Sequence, residues 1–140
     1  MRNESVSLSL TRSGPIWRSR ERVAASDRER TIADALASPS WVGGIRHLAE
    51  ILRSFRSAKE WNPNRLIERV GEVGSGAAFK RLGYLAETVL SAESVLVDAA
   101  LARRSAGVVK LDPAVAGRGR LTKRWGLWLN VRVDASPADA

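Results

Sequence analysis

Three groups of basic side chains could bind a polyanion. Arginine stands at every second position of Trp17-Arg18-Ser19-Arg20-Glu21-Arg22. Read as a strand, this segment places Arg18, Arg20 and Arg22 on one face, about 6.6–6.8 Å apart. That roughly matches successive phosphates of a nucleic-acid strand, and it equally describes a sheet face kept from aggregating by charge. The second group, Lys110, Arg118, Arg120, Lys123 and Arg124, has only Asp112 as a nearby acid. Trp125 and Trp128 lie beside it, as core anchors or, if exposed, as stacking platforms. The third group is Lys80 and Arg81. A helix over this region carries Lys80, Tyr84, Glu87 and Thr88 on its outer face, with Arg81 at the border. Lys80 is then solvated, and its replacement by alanine is expected scarcely to affect folding. Arg81 is either salt-bridged to a neighbouring element or a planar fork for carboxylate or phosphate.

Catalytic chemistry is harder to find. His47 is the single histidine, on the polar side of a helix, with no partnered pocket in view to make it an acid or base. The carboxylates are scattered, and no constellation of metal ligands is visible. Gly71-Glu72-Val73-Gly74-Ser75-Gly76 lacks the Gly-Lys-Ser/Thr ending of a phosphate loop and follows a helix where a strand is required. It reads as a helix-to-helix connector, with Ser75 or Gly76 opening the next helix. The expectation is a protein that is not an enzyme and needs neither metal nor cofactor.

The scaffold for these groups is read from periodicity. Val6, Leu8 and Leu10 alternate with serines, as in a half-buried strand. Gly14-Pro15 turns the chain, and Ile16 to Ala24 completes a hairpin. Ser26 and Glu29 form a capping box for a first helix with Ile32, Ala35 and Leu36 inward. Its Arg30 and Asp34 are spaced for a helical ion pair. After Gly43-Gly44 a second helix buries Ile45, Leu48, Ala49, Leu52 and Phe55. Asn62-Pro63 caps and opens a third, with Leu66, Ile67 and Val70 inward, and the chain breaks again from Gly71. The fourth has Ala78, Leu82, Leu85, Ala86 and Val89 on one face. Its Gly83 costs about 1 kcal/mol against alanine, which predicts close approach of another backbone and packing on both sides. A fifth helix, from about Ala92 to Arg104, buries Leu96, Val97, Ala100 and Leu101. Val108 to Leu111 is a short strand halted by Asp112-Pro113. A basic, glycine-containing loop follows, and Leu127, Leu129, Val131 and Val133 alternate in a final strand. Strands at both ends with helices between make the fold α+β: an N-terminal hairpin, about five helices, and C-terminal strands completing a small sheet. Residues 1–134 form one domain and 135–140 a flexible tail.

Three segments, taken in order and at their spacing, resemble the C-terminal domain of AbiEi-type antitoxins, which are described as regulators of viral defence systems. They are Ser26-Asp27-Arg28-Glu29-Arg30-Thr31-Ile32-Ala33-Asp34, then Ala78-Phe79-Lys80-Arg81-Leu82-Gly83-Tyr84-Leu85-Ala86-Glu87, and finally Arg124-Trp125-Gly126-Leu127-Trp128-Leu129-Asn130-Val131. The matching segments run from about Ile16 to Val133. The resemblance implies an antitoxin of a type IV toxin–antitoxin pair, with a nucleotidyltransferase-like toxin as functional partner and a role in transcriptional regulation. In that family the C-terminal domain carries the antitoxic activity and an N-terminal winged helix binds the operator. Here 25 residues precede Ser26, and they read as strands, so a winged helix is not expected in this chain. In the resembled family the part matching Arg28-Glu29-Arg30-Thr31 to Asp34 is a signature, which implies a structural role, holding the first helix against the sheet.

Composition sets the bounds. Of 140 residues, 44% are hydrophobic and 27% charged, as in a globular domain large enough for a real core. The chain has no cysteine, which removes disulfides, thiol nucleophiles and cysteine-bound zinc and fits a reducing compartment. No apolar run reaches the roughly 18 residues of a membrane span, and the first residues do not form a signal-peptide core. A cytoplasmic location is the expectation. The net charge of +8 and pI of about 11.1 favour a polyanionic partner, so the rival reading is a stand-alone module that contacts nucleic-acid phosphates without regard to sequence.

Overall fold

A computed structural model describes residues 28–91 and 93–134. The expected hairpin, the Ser26 capping box and the tail 135–140 lie outside the described residues. The chain divides into two units, Met1–Thr31 and Ile32–Ala140, and the second contains the helical core and the sheet. Five helices dominate the described residues: α1 (Arg28–Ala37), α2 (Ile45–Arg56), α3 (Pro63–Val73), α4 (Gly76–Val89) and α5 (Ser94–Arg103), with a 3-10 turn at Pro39–Val42. Three short strands follow, β1 (Val109–Lys110), β2 (Arg120–Thr122) and β3 (Leu127–Leu129). The fold is α+β.

The helix boundaries have local causes. Asn62 Oδ1 accepts from the Arg65 amide at 3.1 Å, and Pro63 supplies the first helical residue of α3. The Ser75 hydroxyl accepts from the Ala78 amide at 3.1 Å and caps α4. Gly71 does not break the chain as its type suggests; α3 runs on to Val73, and Gly74, at φ 74°, ends it in the left-handed region that glycine enters without a side-chain clash. Only Gly74 and Ser75 connect the two helices, a shorter link than the expected 71–76 connector.

The inward faces are those that the spacing marks. Ile32, Ala35 and Leu36 of α1, Ile45, Leu48, Ala49, Leu52 and Phe55 of α2, and Leu66, Ile67 and Val70 of α3 are all buried. On α5, Leu96, Val97 and Ala100 are buried, while Leu101 is only half-buried. The exception is α4. Its expected face (Ala78, Leu82, Leu85, Ala86, Val89) is buried, but so are Phe79, Lys80, Arg81 and Gly83 on the other side. This helix packs most extensively on α5, also touches α2, and lies under the sheet. It is the centre of the core.

The sheet is small and mixed, in the order β1-β3-β2. β3 is parallel to β1, pairing Leu127 with Val109 and Trp128 with Lys110. It is antiparallel to β2, pairing Leu129 with Arg120, Trp128 with Leu121 and Leu127 with Thr122. Two expectations are corrected here. Arg120–Thr122 is a strand and not part of a basic loop. The last strand stops at Leu129, because the Asn130 side chain turns aside to the Asp112 and Val115 carbonyls, at 2.8 and 2.9 Å. Val131 and Val133 still pack partly against the core.

Gly83 shows what holds the sheet to the helix. A Cβ built there would lie 2.1 Å from Trp125 Cζ3, so the close approach predicted for a backbone is made by a tryptophan ring. Trp125 is 1% exposed. Burying an indole removes some 150–250 Å² from water, an upper bound of about 4–6 kcal/mol. That outweighs the ~1 kcal/mol helix penalty of glycine. Gly83→Ala should therefore destabilise by about 1–3 kcal/mol or more through overpacking, although alanine is the better helix former. Leu82→Ala should cost about 2–5 kcal/mol. Urea unfolding of both variants checks this, and a Gly83→Ala protein more stable than the parent would contradict the packing described.

Candidate partner and nucleic-acid interface

The basic residues singled out by type end in four different situations. Arg18, Arg20 and Arg22 lie outside the described residues. Lys80 and Arg81 are removed from any surface role: they are 1% and 3% exposed, contrary to the solvated face expected for them. Arg118, Arg120 and Lys123 are exposed, and Arg124 is exposed but paired.

The burial of Lys80 and Arg81 has a shared logic. Both donate to backbone carbonyls that the fold leaves without partners. Lys80 Nζ reaches the Gly107 carbonyl at 2.7 Å and that of Ala106 at 3.3 Å, in the connection from α5 to β1. Arg81 Nη1 donates to the carbonyls of Leu36 (2.8 Å) and Ala37 (3.2 Å) at the end of α1. Its Nε and Nη2 donate to Leu111 and Lys110, each at 3.0 Å, along β1. The last carbonyls of a helix have no intrahelical donor, and a guanidinium satisfies two elements at once. The fork that offered itself for a phosphate is already filled by main chain. Burial lowers the pKa of Lys80 below its ordinary 10.5, helped by the nearby Arg81 and Arg104 charges. Burial also lowers that of Arg81, against an opposing pull from Asp112.

Asp112 and Asn130 complete this buried polar group, and neither stands out by residue type. Asp112 Oδ2 accepts from the Ile45 amide at 3.0 Å, and Oδ1 accepts from that of Ala114 at 3.1 Å. Gly44, at φ 115°, opens α2 with no side chain to cap it, so Asp112 supplies the cap from a distant part of the chain. Asn130 Oδ1 accepts from the Asp112 amide at 3.1 Å. The Asp112-Pro113 pair gives a signal only for the end of a strand.

Arg124 and Glu87 work on Trp125. Arg124 Nε donates to Glu87 Oε2 at 2.8 Å, and Trp125 Nε1 donates to Oε1 at 2.6 Å. Arg124 also lies over the Trp125 ring, 5.3 Å from its centroid. Burial would raise the Glu87 pKa, but the bonds from Arg124 and Trp125 prevail and hold it below 4.5. Trp125 is a core anchor and not a stacking platform.

The remaining basic residues do not form one patch. Paired residues in a sheet share a face, so Lys110, Trp128 and Leu121 face away from α4, while Arg120 shares the α4 side with Leu129. Arg118 reaches over Trp128, 5.4 Å from the ring centroid, and Lys110 Nζ bonds the Val115 carbonyl at 3.0 Å. Among the described residues, two hollows of more than 300 Å³ flank the 130–133 segment. One of about 390 Å³ contains Arg46, Asp112 and Asn130, whose polar atoms largely serve the fold. Arg46 Nε, for instance, donates to the Arg132 carbonyl at 2.9 Å. The other, of about 360 Å³, lies between Tyr84, Arg120 and the chain from Leu129 to Val133.

His47 is exposed and bonds the Val42 carbonyl through Nδ1, with no acid–base partner around it among the described residues. Among the same residues no group of three or more His, Cys, Asp or Glu side chains could hold a metal, and no helix is long and apolar enough to cross a membrane. Compared with protein-family models, with curated proteins and with solved structures, the chain matches none.

Lys80→Ala should lose about 1–3 kcal/mol of stability, the cost of leaving a buried acceptor unpaired. The lowered pKa also fixes the sign of a pH dependence. With the folded value below 10.5, the unfolded chain binds more protons between the two values. Stability contributed by this site therefore rises with pH across that window and is flat below it. Chemical denaturation from pH 7 to 10.5 should show the rise in the parent and its loss in the variant; an equal slope in both would refute the assignment.

Proposed function

We propose that this chain is the antitoxin domain of a bacterial type IV toxin–antitoxin system of the AbiEi kind, counteracting a nucleotidyltransferase-like toxin. The observation that supports this reading is where the three resembling segments lie. The second and third, far apart in sequence, meet at α4, where Trp125 covers Gly83, and Arg81 of the second holds the carbonyls of Leu36 and Ala37, which follow the first. Residue types that depend on one another through packing are the ones a shared fold retains together. The test is co-expression with a nucleotidyltransferase-like toxin of such a pair. Growth should be rescued by the chain alone and lost in the Trp125→Ala variant. A folded, abundant chain that leaves the toxin fully active would overturn the proposal.

A second reading, contact with nucleic-acid phosphates without sequence preference, is favoured by the outward sheet face, where Arg118 lies over Trp128 and Lys110 is its strand neighbour. On this reading, Arg118→Ala with Lys123→Ala should weaken binding equally for an operator-like and a random duplex. The salt slope should fall by about 0.9 per lost phosphate contact. Titration of both duplexes at several salt concentrations decides it; a loss confined to one sequence would exclude this mode.

A further inference from the structure

We propose that the hollow between α4 and the end of the sheet is a docking groove for an acidic, apolar segment of a partner protein. It goes beyond the antitoxin reading and does not depend on it. The groove has a volume of about 360 Å³ and is lined by Tyr84, Arg120 and the chain from Leu129 to Val133, Asn130 included. That lies at the small end of the about 300–1,000 Å³ typical of ligand sites, enough for one large side chain and its neighbours.

Its chemistry is divided. Leu129, Val131 and Val133 are half-buried and continuous with the core, so they form a fixed aliphatic floor. Arg120 and Arg132 are exposed at the rim. Arg120 makes no ion pair among the described residues, although its position on the α4 side of the sheet is set by pairing with Leu129. Arg132 pairs with Asp134 at 3.3 Å, and both side chains are more than four-fifths exposed. An exposed pair of this kind is worth little, so an incoming carboxylate can replace Asp134 with small loss. Tyr84, on α4, adds an aromatic wall.

Charge selects the occupant. A second copy would bring the same two arginines and a net +8 against the first, which opposes self-association. A nucleic-acid backbone would match the rim but leave the aliphatic floor without a partner. A peptide with an apolar side chain between carboxylates satisfies both, since arginine takes carboxylates through paired N–H donors and a central apolar anchor carries most of such an interface.

The experiment uses the full chain and a fluorescein-labelled peptide of alternating glutamate with leucine or phenylalanine, followed by anisotropy. Saturable binding that weakens as salt rises from ~0.1 to ~0.5 M is expected. Arg120→Ala and Arg132→Ala should each weaken it about tenfold. Lys59→Ala, which removes the same charge outside the groove, should leave it unchanged. A poly-glutamate peptide should bind about tenfold more weakly than the mixed peptide. Because both arginines are exposed, circular dichroism should show unaltered melting in the variants. Equal binding of poly-glutamate, equal loss in Lys59→Ala, no binding of the mixed peptide, or preferential binding of a single-stranded oligonucleotide at the same arginines would each overturn the proposal. None of these outcomes bears on growth rescue.

Discussion

A guanidinium buried among carbonyls joins the two halves of the core. Arg81 donates four hydrogen bonds to main chain, two at the end of α1 and two along β1. Taking a charge out of water is costly unless it is fully bonded and paired. Here the bonding is main-chain, and the nearby Asp112 charge opposes the effect of burial. Removing the guanidinium would strand four acceptors in the interior, so helix bundle and sheet share one polar joint as well as an apolar interface. Lys80, one residue earlier, does the same for the approach to β1. Two adjacent cations on one helix thus fasten two stretches of the same connection.

From this joint the order propagates outward. Asp112 hands the constraint to the start of α2 through the Ile45 amide, and Asn130 hands it to the end of β3. The sheet has only eight residues in strands, too few to be independently stable by ladder hydrogen bonds. It is kept in place by Trp125 against Gly83 and by the polar groups beneath it. Glu87 orients that tryptophan from α4, while Arg124 screens the carboxylate from the outside.

Much of this is legible in residue spacing. The inward faces of α1, α2 and α3, the Asn62-Pro63 start, the Ser75 cap and the strand before Asp112 follow from apolar period and capping chemistry alone. The fate of Lys80 and Arg81 does not, for a physical reason. Periodicity assigns a charged residue to the wet side of a helix, and it fails when main-chain carbonyls of another element take the place of water. Gly83 carries the warning, since it marks close packing on the side where periodicity puts Lys80 in solvent. The strand at Arg120–Thr122 is hidden for a different reason: it is three residues long, begins with a charge, and owes its conformation to its pairing with β3. The groove by Tyr84 is equally hidden, because Arg120 and Arg132 lie on separate segments and meet only after the sheet closes.

The capping of α2 by Asp112 has a consequence for the order of assembly. The two groups are 67 residues apart, so the helix cannot acquire its terminal acceptor until the whole intervening chain, α3, α4 and α5 included, has been threaded back upon it. Local helices form in well under a millisecond, whereas contacts that close long loops come late and slow the search. A nascent chain that had reached only α5 would thus hold helices with an open end and unsatisfied carbonyls. The native state would become available only once Asp112 and the strands after it had left the ribosome, making the sheet the latch of the fold and not an appendage to it.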